Sequence, residues 1–142
     1  MNFATLLLDI NYGNYDFCVA SNDEMSILGC FFADDVGCPK KQCGSTYKDW
    51  ALADKTIRSN PFAYTIGGNA TSLEEDDYGT IYLIDATGSN DDEENYIPAR
   101  IQMTREQFVR LLDDWQEKVC KHKPKEVIIK HVDDHFIIET RD

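Results

Sequence analysis

Carboxylates are the chemically active side chains that this sequence concentrates most strongly. Between Arg58 and Arg100 the chain has no lysine or arginine, yet it has nine acidic residues. These nine are Glu74, Glu75, Asp76, Asp77, Asp85, Asp91, Asp92, Glu93 and Glu94. Because the 142 residues carry a formal charge of −12, this one segment accounts for three quarters of the excess negative charge. A concentrated negative surface attracts a cationic partner over a long distance and speeds its association.

Other kinds of site fit these carboxylates less well. Residues 91–94 lack the D-x-D-x-D-G spacing and the closing glutamate of a calcium-binding loop. The overall charge disfavours nucleic acid and anionic membranes as partners, because both attract proteins that present positive charge. The alternative to a binding surface is a pair of solvated loops that only keeps the protein soluble. Tyr78, Tyr82 and Tyr96 lie beside the acids and are either anchors for a partner or half-buried strand residues.

Zinc is the metal that the cysteines could bind. Cys30, Cys38 and Cys43 could supply thiolates. Four residues separate Cys38 from Cys43, but the chain has no second pair of closely spaced cysteines to complete a typical structural zinc site. The fourth ligand would be Cys18, Cys120 or a histidine. The five cysteines are an odd number, and the N-terminus lacks the features of a signal peptide. Both observations favour free thiols and a cytoplasmic location.

Two arrangements resemble catalytic or metal sites, but neither is complete. His131 and His135 have the spacing of a ligand pair only if they lie on a helix, and the hairpin predicted below places them on opposite faces. Cys120 and His122 would need an oxyanion site to act as a nucleophile and its base. The chain also lacks a glycine-rich phosphate loop and a G-x-S-x-G motif. We therefore predict that the protein is not an enzyme and needs no cofactor or metal.

The clearest element that could position these side chains is a helix that begins after Thr104. Thr104 and Gln107 form the S/T-x-x-E/Q pattern of a capping box, in which each side chain bonds to the other residue's backbone N–H. Met103 and Phe108 have the spacing of a hydrophobic staple. Pro124 ends the helix because it cannot continue the hydrogen-bond ladder. The apolar face predicted for this helix contains Phe108, Leu111, Leu112, Trp115 and Val119.

One N-terminal stretch fits two structures. Met25, Leu28 and Phe32 have the spacing of a helical face, whereas residues 27–32 also read as a buried strand. We favour the strand, because Gly29 lies in the middle of the run and two aromatic residues follow it. Residues 33–47 are predicted to be a loop.

The remaining pattern predicts a fold dominated by strands. Apolar and alternating runs predict strands at residues 3–10, 15–20, 62–66, 80–85, 96–101, 126–132 and 135–140. A short helix is predicted at residues 49–58, and loops at 74–77 and 86–95. The last two strands form a hairpin whose predicted core-facing pairs are His131 with Phe136, Ile129 with Ile138 and Val127 with Thr140. This order predicts one α+β domain over residues 1–142, with an antiparallel sheet packed against one long C-terminal helix and a closing β-hairpin.

Residues 103–139, MTREQFVRLLDDWQEKVCKHKPKEVIIKHVDDHFIIE, contain the capped helix and the hairpin together. This segment resembles the C-terminal part of small cytosolic immunity proteins from bacterial polymorphic toxin and contact-dependent growth inhibition systems. In those proteins a capped helix with an L-L-x-x-W core leads through lysine and proline into a closing hairpin. The resemblance implies an acidic protein that binds a basic nuclease domain and covers its active site.

Charge and resemblance together predict a bacterial toxin inhibitor that acts through protein–protein interaction with a basic protein, a cognate toxin domain. The residues predicted to bind it are Glu74, Glu75, Asp76, Asp77, Tyr78, Asp85, Asp91, Asp92, Glu93, Glu94 and Tyr96. Two alternatives remain open. One is a phage-type decoy that mimics nucleic acid, and the other is a small zinc-stabilised structural or regulatory domain.

Overall fold

The secondary structure was obtained from a computed structural model that describes residues 1–37, 65–67, 71–85 and 99–142. The described strands are β1 (Asn2–Leu8), β2 (Tyr15–Ala20), β3 (Thr65–Gly67), β4 (Thr71–Glu75), β5 (Thr80–Asp85), β6 (Arg100–Thr104), β7 (Glu126–Val132) and β8 (His135–Arg141). The described α-helices are α1 (Asp23–Cys30) and α2 (Arg105–Asp114). Each continues directly into a π-helix, the first over Phe31–Val36 and the second over Trp115–Cys120. The helix predicted at 49–58 lies outside the described residues.

The described strands form two antiparallel sheets, with strand orders β2-β1-β7-β8 and β3-β4-β5-β6. The α+β class is confirmed, but the single sheet predicted from the sequence is wrong. β1 pairs with β2 on one side and with β7 on the other, so the first strand of the chain joins the sheet of the closing hairpin. The central strands are thereby left to form the second sheet.

The closing hairpin has the predicted register. His131 lies opposite Phe136 and Ile129 opposite Ile138, and His135 pairs with Val132 on the other face. The turn residues Asp133 and Asp134 have φ values of 49° and 63°. Both therefore adopt the left-handed conformation that a two-residue type I′ turn requires, which aspartate tolerates better than most residues. The predicted core face differs in one member, because Thr140 is exposed.

The predicted cap of the second helix is confirmed. Thr104 Oγ1 accepts a hydrogen bond from the Gln107 backbone N–H at 3.1 Å, and Gln107 Oε1 accepts one from the Thr104 N–H at 2.8 Å. The one long C-terminal α-helix is wrong in detail, because α-helical winding ends at Asp114 and the chain continues as a π-helix. The predicted apolar face is nevertheless entirely buried, since Phe108, Leu111, Leu112, Trp115 and Val119 all belong to the core.

The preference for a strand at residues 25–32 is wrong, because the chain is helical there. The Asn22 side chain caps α1 by accepting a hydrogen bond from the Met25 N–H at 2.9 Å. Gly29 has a tertiary role rather than a strand role, since a Cβ at this position would lie 2.5 Å from Cδ2 of Phe17. Residues 33–36 are also helical rather than loop, and Gly37, with φ of 58°, follows the end of the first π-helix.

The core lies where the inner faces of both sheets meet the helices. A chain of aromatic contacts runs through it from Tyr15 to Trp115, Phe32, Phe31 and Phe108, with ring centroids 4.7–6.0 Å apart. Burial, reinforced by the charge of Asp142, raises the pKa of Tyr15 to about 12. In the described parts of the chain, no helix is long and apolar enough to cross a membrane.

Replacing Thr104 with alanine removes the hydroxyl that accepts from the Gln107 N–H, so the free energy of unfolding should fall by about 1 kcal/mol. Urea unfolding followed by circular dichroism measures this change. Thr140→Ala is the matched control because Thr140 is exposed on β8, and its effect should stay within about 0.5 kcal/mol. Equal losses for the two substitutions would contradict the capping role.

Candidate acidic interaction surface

The first group of predicted binding residues lies on β4 and the β4–β5 turn. The sequence predicted a loop at residues 74–77, whereas Glu74 and Glu75 belong to β4. Side chains alternate along this strand, so Glu75 points into the core together with Leu73, while Glu74 lies on the opposite, half-buried face. Two adjacent carboxylates therefore occupy different environments.

Glu75, which was predicted to contact a partner at the surface, is buried in the structure. Its side chain has no accessible surface and forms an ion pair with Arg105, the first residue of α2. Arg105 Nε donates to Glu75 Oε1 at 3.0 Å, and Nη2 of the same arginine contacts the same oxygen. A buried carboxylate needs such a charged donor, because desolvation strongly disfavours an isolated ion. Glu75 therefore joins the second sheet to α2.

Asp76 organises the β4–β5 turn. Its Oδ1 accepts hydrogen bonds from the N–H groups of Tyr78 and Thr80, each at 2.9 Å. Its Oδ2 accepts from the Tyr82 hydroxyl at 3.0 Å, and this hydrogen bond is the main reason why the pKa of Tyr82 is raised. The tip of the turn is left to Asp77 and Tyr78, and Tyr78 is 93% exposed. The turn thus presents one carboxylate beside one accessible aromatic ring.

A second group of carboxylates lies at the other end of β5. Asp35 Oδ2 accepts hydrogen bonds from the backbone N–H and the hydroxyl of Thr71, at 3.0 and 2.6 Å. Thr71 is the strand partner of Asp85, so Asp35 and Asp85 lie at the same end of the sheet. Burial raises the pKa of the Cys30 thiol, and the charges of Asp34, Asp85 and Asp35 raise it further. We call Asp34, Asp35 and Asp85 the Cys30 acidic cluster.

Sequence reasoning found Asp85 but missed Asp34 and Asp35. These two were placed in a loop, whereas they belong to the first π-helix, which carries them to the end of β5. Charge could have indicated them, because residues 1–37 contain six acidic residues, Asp34 and Asp35 among them, and no lysine or arginine.

The two described groups lie at opposite ends of β5. The strand rises roughly 17 Å between Thr80 and Asp85, at about 3.3 Å per residue. At this end of β5 the Asp85 N–H donates to the Ala99 carbonyl at 2.9 Å, and these two residues flank segment 86–98. Its members Asp91, Asp92, Glu93, Glu94 and Tyr96 lie outside the described residues.

The cysteines do not form a metal site within the described part of the chain. Cys18 and Cys30 are free thiols, whereas Cys120 is disulfide-bonded. The expectation of free thiols is thus wrong at Cys120, which is also removed as a candidate zinc ligand. Cys38 and Cys43 lie outside the described residues. Among the residues that are described, no group of three His, Cys, Asp or Glu side chains could hold a metal ion.

Comparison of the chain with protein-family models, with curated proteins and with solved structures gave no match. The interpretation of the acidic surface therefore depends on its own geometry and charge.

Replacing Arg105 with glutamine removes the guanidinium charge that faces the buried Glu75 carboxylate, so the free energy of unfolding should fall by about 3 kcal/mol. Chemical unfolding of the variant measures this loss. Arg110→Gln is the control on the same helix, because its ion pair with Glu106 is exposed and should contribute no more than about 0.5 kcal/mol. Similar effects of the two variants would rule out a structural role for the buried pair.

Replacing Asp34 with asparagine removes one of the negative charges that raise the pKa of Cys30. The pKa should fall, so a larger fraction of thiolate forms at a given alkaline pH and iodoacetamide reacts faster. Alkylation rates followed against pH by peptide-resolved mass spectrometry measure the shift at Cys30 separately from the other cysteines. Asp23→Asn is the control, since Asp23 is not among the groups that act on Cys30. An unchanged pKa in Asp34→Asn would show that the cluster is not assembled as described.

Proposed function

We propose that this protein binds a cationic protein and neutralises it, acting as an inhibitor rather than as an enzyme. The observation that carries the proposal is the Cys30 acidic cluster at one end of β5. Asp34 there is exposed, while Asp35 and Asp85 are half-buried. In the sequence, four further acids, Asp91, Asp92, Glu93 and Glu94, lie between Asp85, a member of this cluster, and Ala99, whose carbonyl accepts the Asp85 N–H.

The physical basis of the proposal is electrostatic steering. Charges within about 8–10 Å of one another act together on an approaching partner at physiological ionic strength, because this is the screening length of the solution. Such a surface raises the association rate with a basic partner and disfavours acidic ones. It also competes with phosphates for the positive groups of a nuclease.

The contacts of an inhibitor also need anchors and a rigid support. Tyr78 is a candidate anchor, since it is almost fully exposed and follows Asp77 directly, and aromatic residues are common among the side chains that dominate binding energy. The support comes from two antiparallel sheets joined to the helices through one core.

A toxin nuclease domain is the partner class that we propose. The resemblance of residues 103–139 to immunity proteins supports this choice, as does the acidic character that such a partner requires. The experiment is a pull-down with the purified protein from a lysate of its own host, supplemented with the products of the adjacent genes. One stoichiometric basic partner would support the proposal. Capture of several unrelated nucleic-acid-binding proteins would instead favour the decoy, and capture of none would reject both.

Reversing the charge of Asp91, Asp92, Glu93 and Glu94 together to lysine should slow association with the captured partner by about tenfold or more, because the steering field is weakened. Stopped-flow or surface-based kinetics at several salt concentrations measure this rate. The wild-type rate should fall as salt is added, and the variant should depend on salt much less.

The control for this experiment changes the net charge equally on other surfaces. Asp16, Asp23, Glu106 and Glu117 are exposed and lie away from the proposed surface in the chain, so their joint reversal to lysine should leave most of the association rate intact. Equal slowing in the two variants would show that total charge, rather than this surface, sets the rate. No slowing in either would reject the proposed site.

A further inference from the structure

A cavity of about 340 Å³ lies where the edge strand β6 faces the β7–β8 hairpin and the first turn of α1. Its described lining consists of Glu24, Arg100, Ile101, Gln102, His131 and Asp134. The volume is near the lower end of the range of small-molecule sites, which is about 300–1,000 Å³. None of the residues proposed above to bind the cationic protein belongs to this lining.

Local contacts hold this lining in position. The Asn22 cap fixes the turn of α1 that carries Glu24. Gln107 Nε2 donates to the Asp134 carbonyl oxygen at 2.7 Å, which fixes the β7–β8 turn against the start of α2. The guanidinium carbon of Arg100 lies 5.9 Å from the centroid of the Tyr82 ring, a distance at which the ring attracts the cation. The backbone that carries the lining is therefore held in place.

His131 belongs to the described lining of the cavity, and packing holds its imidazole ring in place. Its ring stacks on Phe136 with centroids 4.2 Å apart and planes only 7° from parallel. Nε2 of His131 is buried and makes no hydrogen bond within the described part of the chain, and the nearest carboxylate oxygen, on Asp134, lies 3.9 Å away. Since this nitrogen has almost no accessible surface, the ring borders the cavity through its other atoms.

The charges of the lining have opposite signs. Arg100 attracts a carboxylate, whereas Glu24 and Asp134 repel an anion and attract an ammonium group. A ligand with only one of these charges would be repelled by part of the lining, and a ligand with both would be favoured by all of it. A metal ion is not the occupant that we infer, because no group of three suitable ligands is close enough among the described residues.

The geometry points to a binding site for a free α-amino acid, the smallest common ligand that carries an ammonium and a carboxylate together. Glu24 and Asp134 receive the ammonium group, and Arg100 with the Gln102 amide receives the carboxylate. The site is independent of the acidic surface, so either can be tested without the other.

The test is a titration of the folded full-length protein with the individual standard α-amino acids, followed by amide chemical shifts in NMR spectra. At least one amino acid should shift the signals of residues 100–102 and 131–134 in a saturable manner. N-acetylated and C-amidated forms of the same amino acid should bind about tenfold more weakly, because each lacks one charge. Saturable binding by no amino acid would overturn the inference, as would an acetylated form that binds as well as the parent.

Variants locate the binding. Arg100→Gln and the double variant Glu24→Gln with Asp134→Asn should each weaken binding about tenfold, since each removes one charge class from the lining. All three residues are exposed, so the variants should fold, and circular dichroism checks this. Arg110→Gln and Glu106→Gln change exposed charges of α2 outside the cavity and should bind like the wild type. Binding that survives in both cavity variants would place the ligand elsewhere and overturn the inference.

Discussion

The burial of Trp115 is the interaction on which the rest of the fold depends. Its indole N–H donates to the Gly37 carbonyl at 2.9 Å, which ties the second helical region to the end of the first. Its ring contacts Phe32 and Tyr15, and the Tyr15 hydroxyl donates to the Pro124 carbonyl at 2.5 Å. Trp115 thereby joins both helical regions to β2, and Tyr15 extends this contact to the entry of the closing hairpin. Burying a side chain of this size contributes about 1.5–3 kcal/mol before its hydrogen bond is counted.

This arrangement also decides which acids can face a partner. The first π-helix ends at Val36, next to the Gly37 carbonyl that Trp115 holds, and it carries Asp34 and Asp35 to the end of β5. Side chains alternate along β4, so Glu75 points inward on the same face as Thr71 and Leu73. Arg105 compensates its buried negative charge. The packing of the core therefore buries some carboxylates, such as Glu75, in structural contacts and leaves others, such as Asp34, at the surface.

Much of the fold was predictable because its signals are local. The capping box at Thr104, the apolar face around Leu111 and the register of the closing hairpin each depend on residues close in sequence, and all were confirmed. For residues 25–32 the sequence fits a helix as well as a strand, and the strand was favoured because Gly29 lies in the middle of the run and two aromatic residues follow it. A Cβ at Gly29 would clash with the Phe17 ring on β2, which explains the glycine. The residues near Gly29 in the sequence do not reveal this long-range contact.

The acidic surface also has features that the sequence predicts and features that only the structure shows. The amount of negative charge and its concentration between Arg58 and Arg100 follow from the sequence alone, because charge is a property of composition. Which carboxylates meet was decided only by tertiary structure, since strand pairing placed Asp85 beside Thr71 and helix packing brought Asp35 to the same threonine. The cavity beside His131 has the same origin, because its lining comes from residues 24, 100–102, 131 and 134. Local patterns predicted the capped helix and the closing hairpin, and long-range contacts determined which side chains face one another.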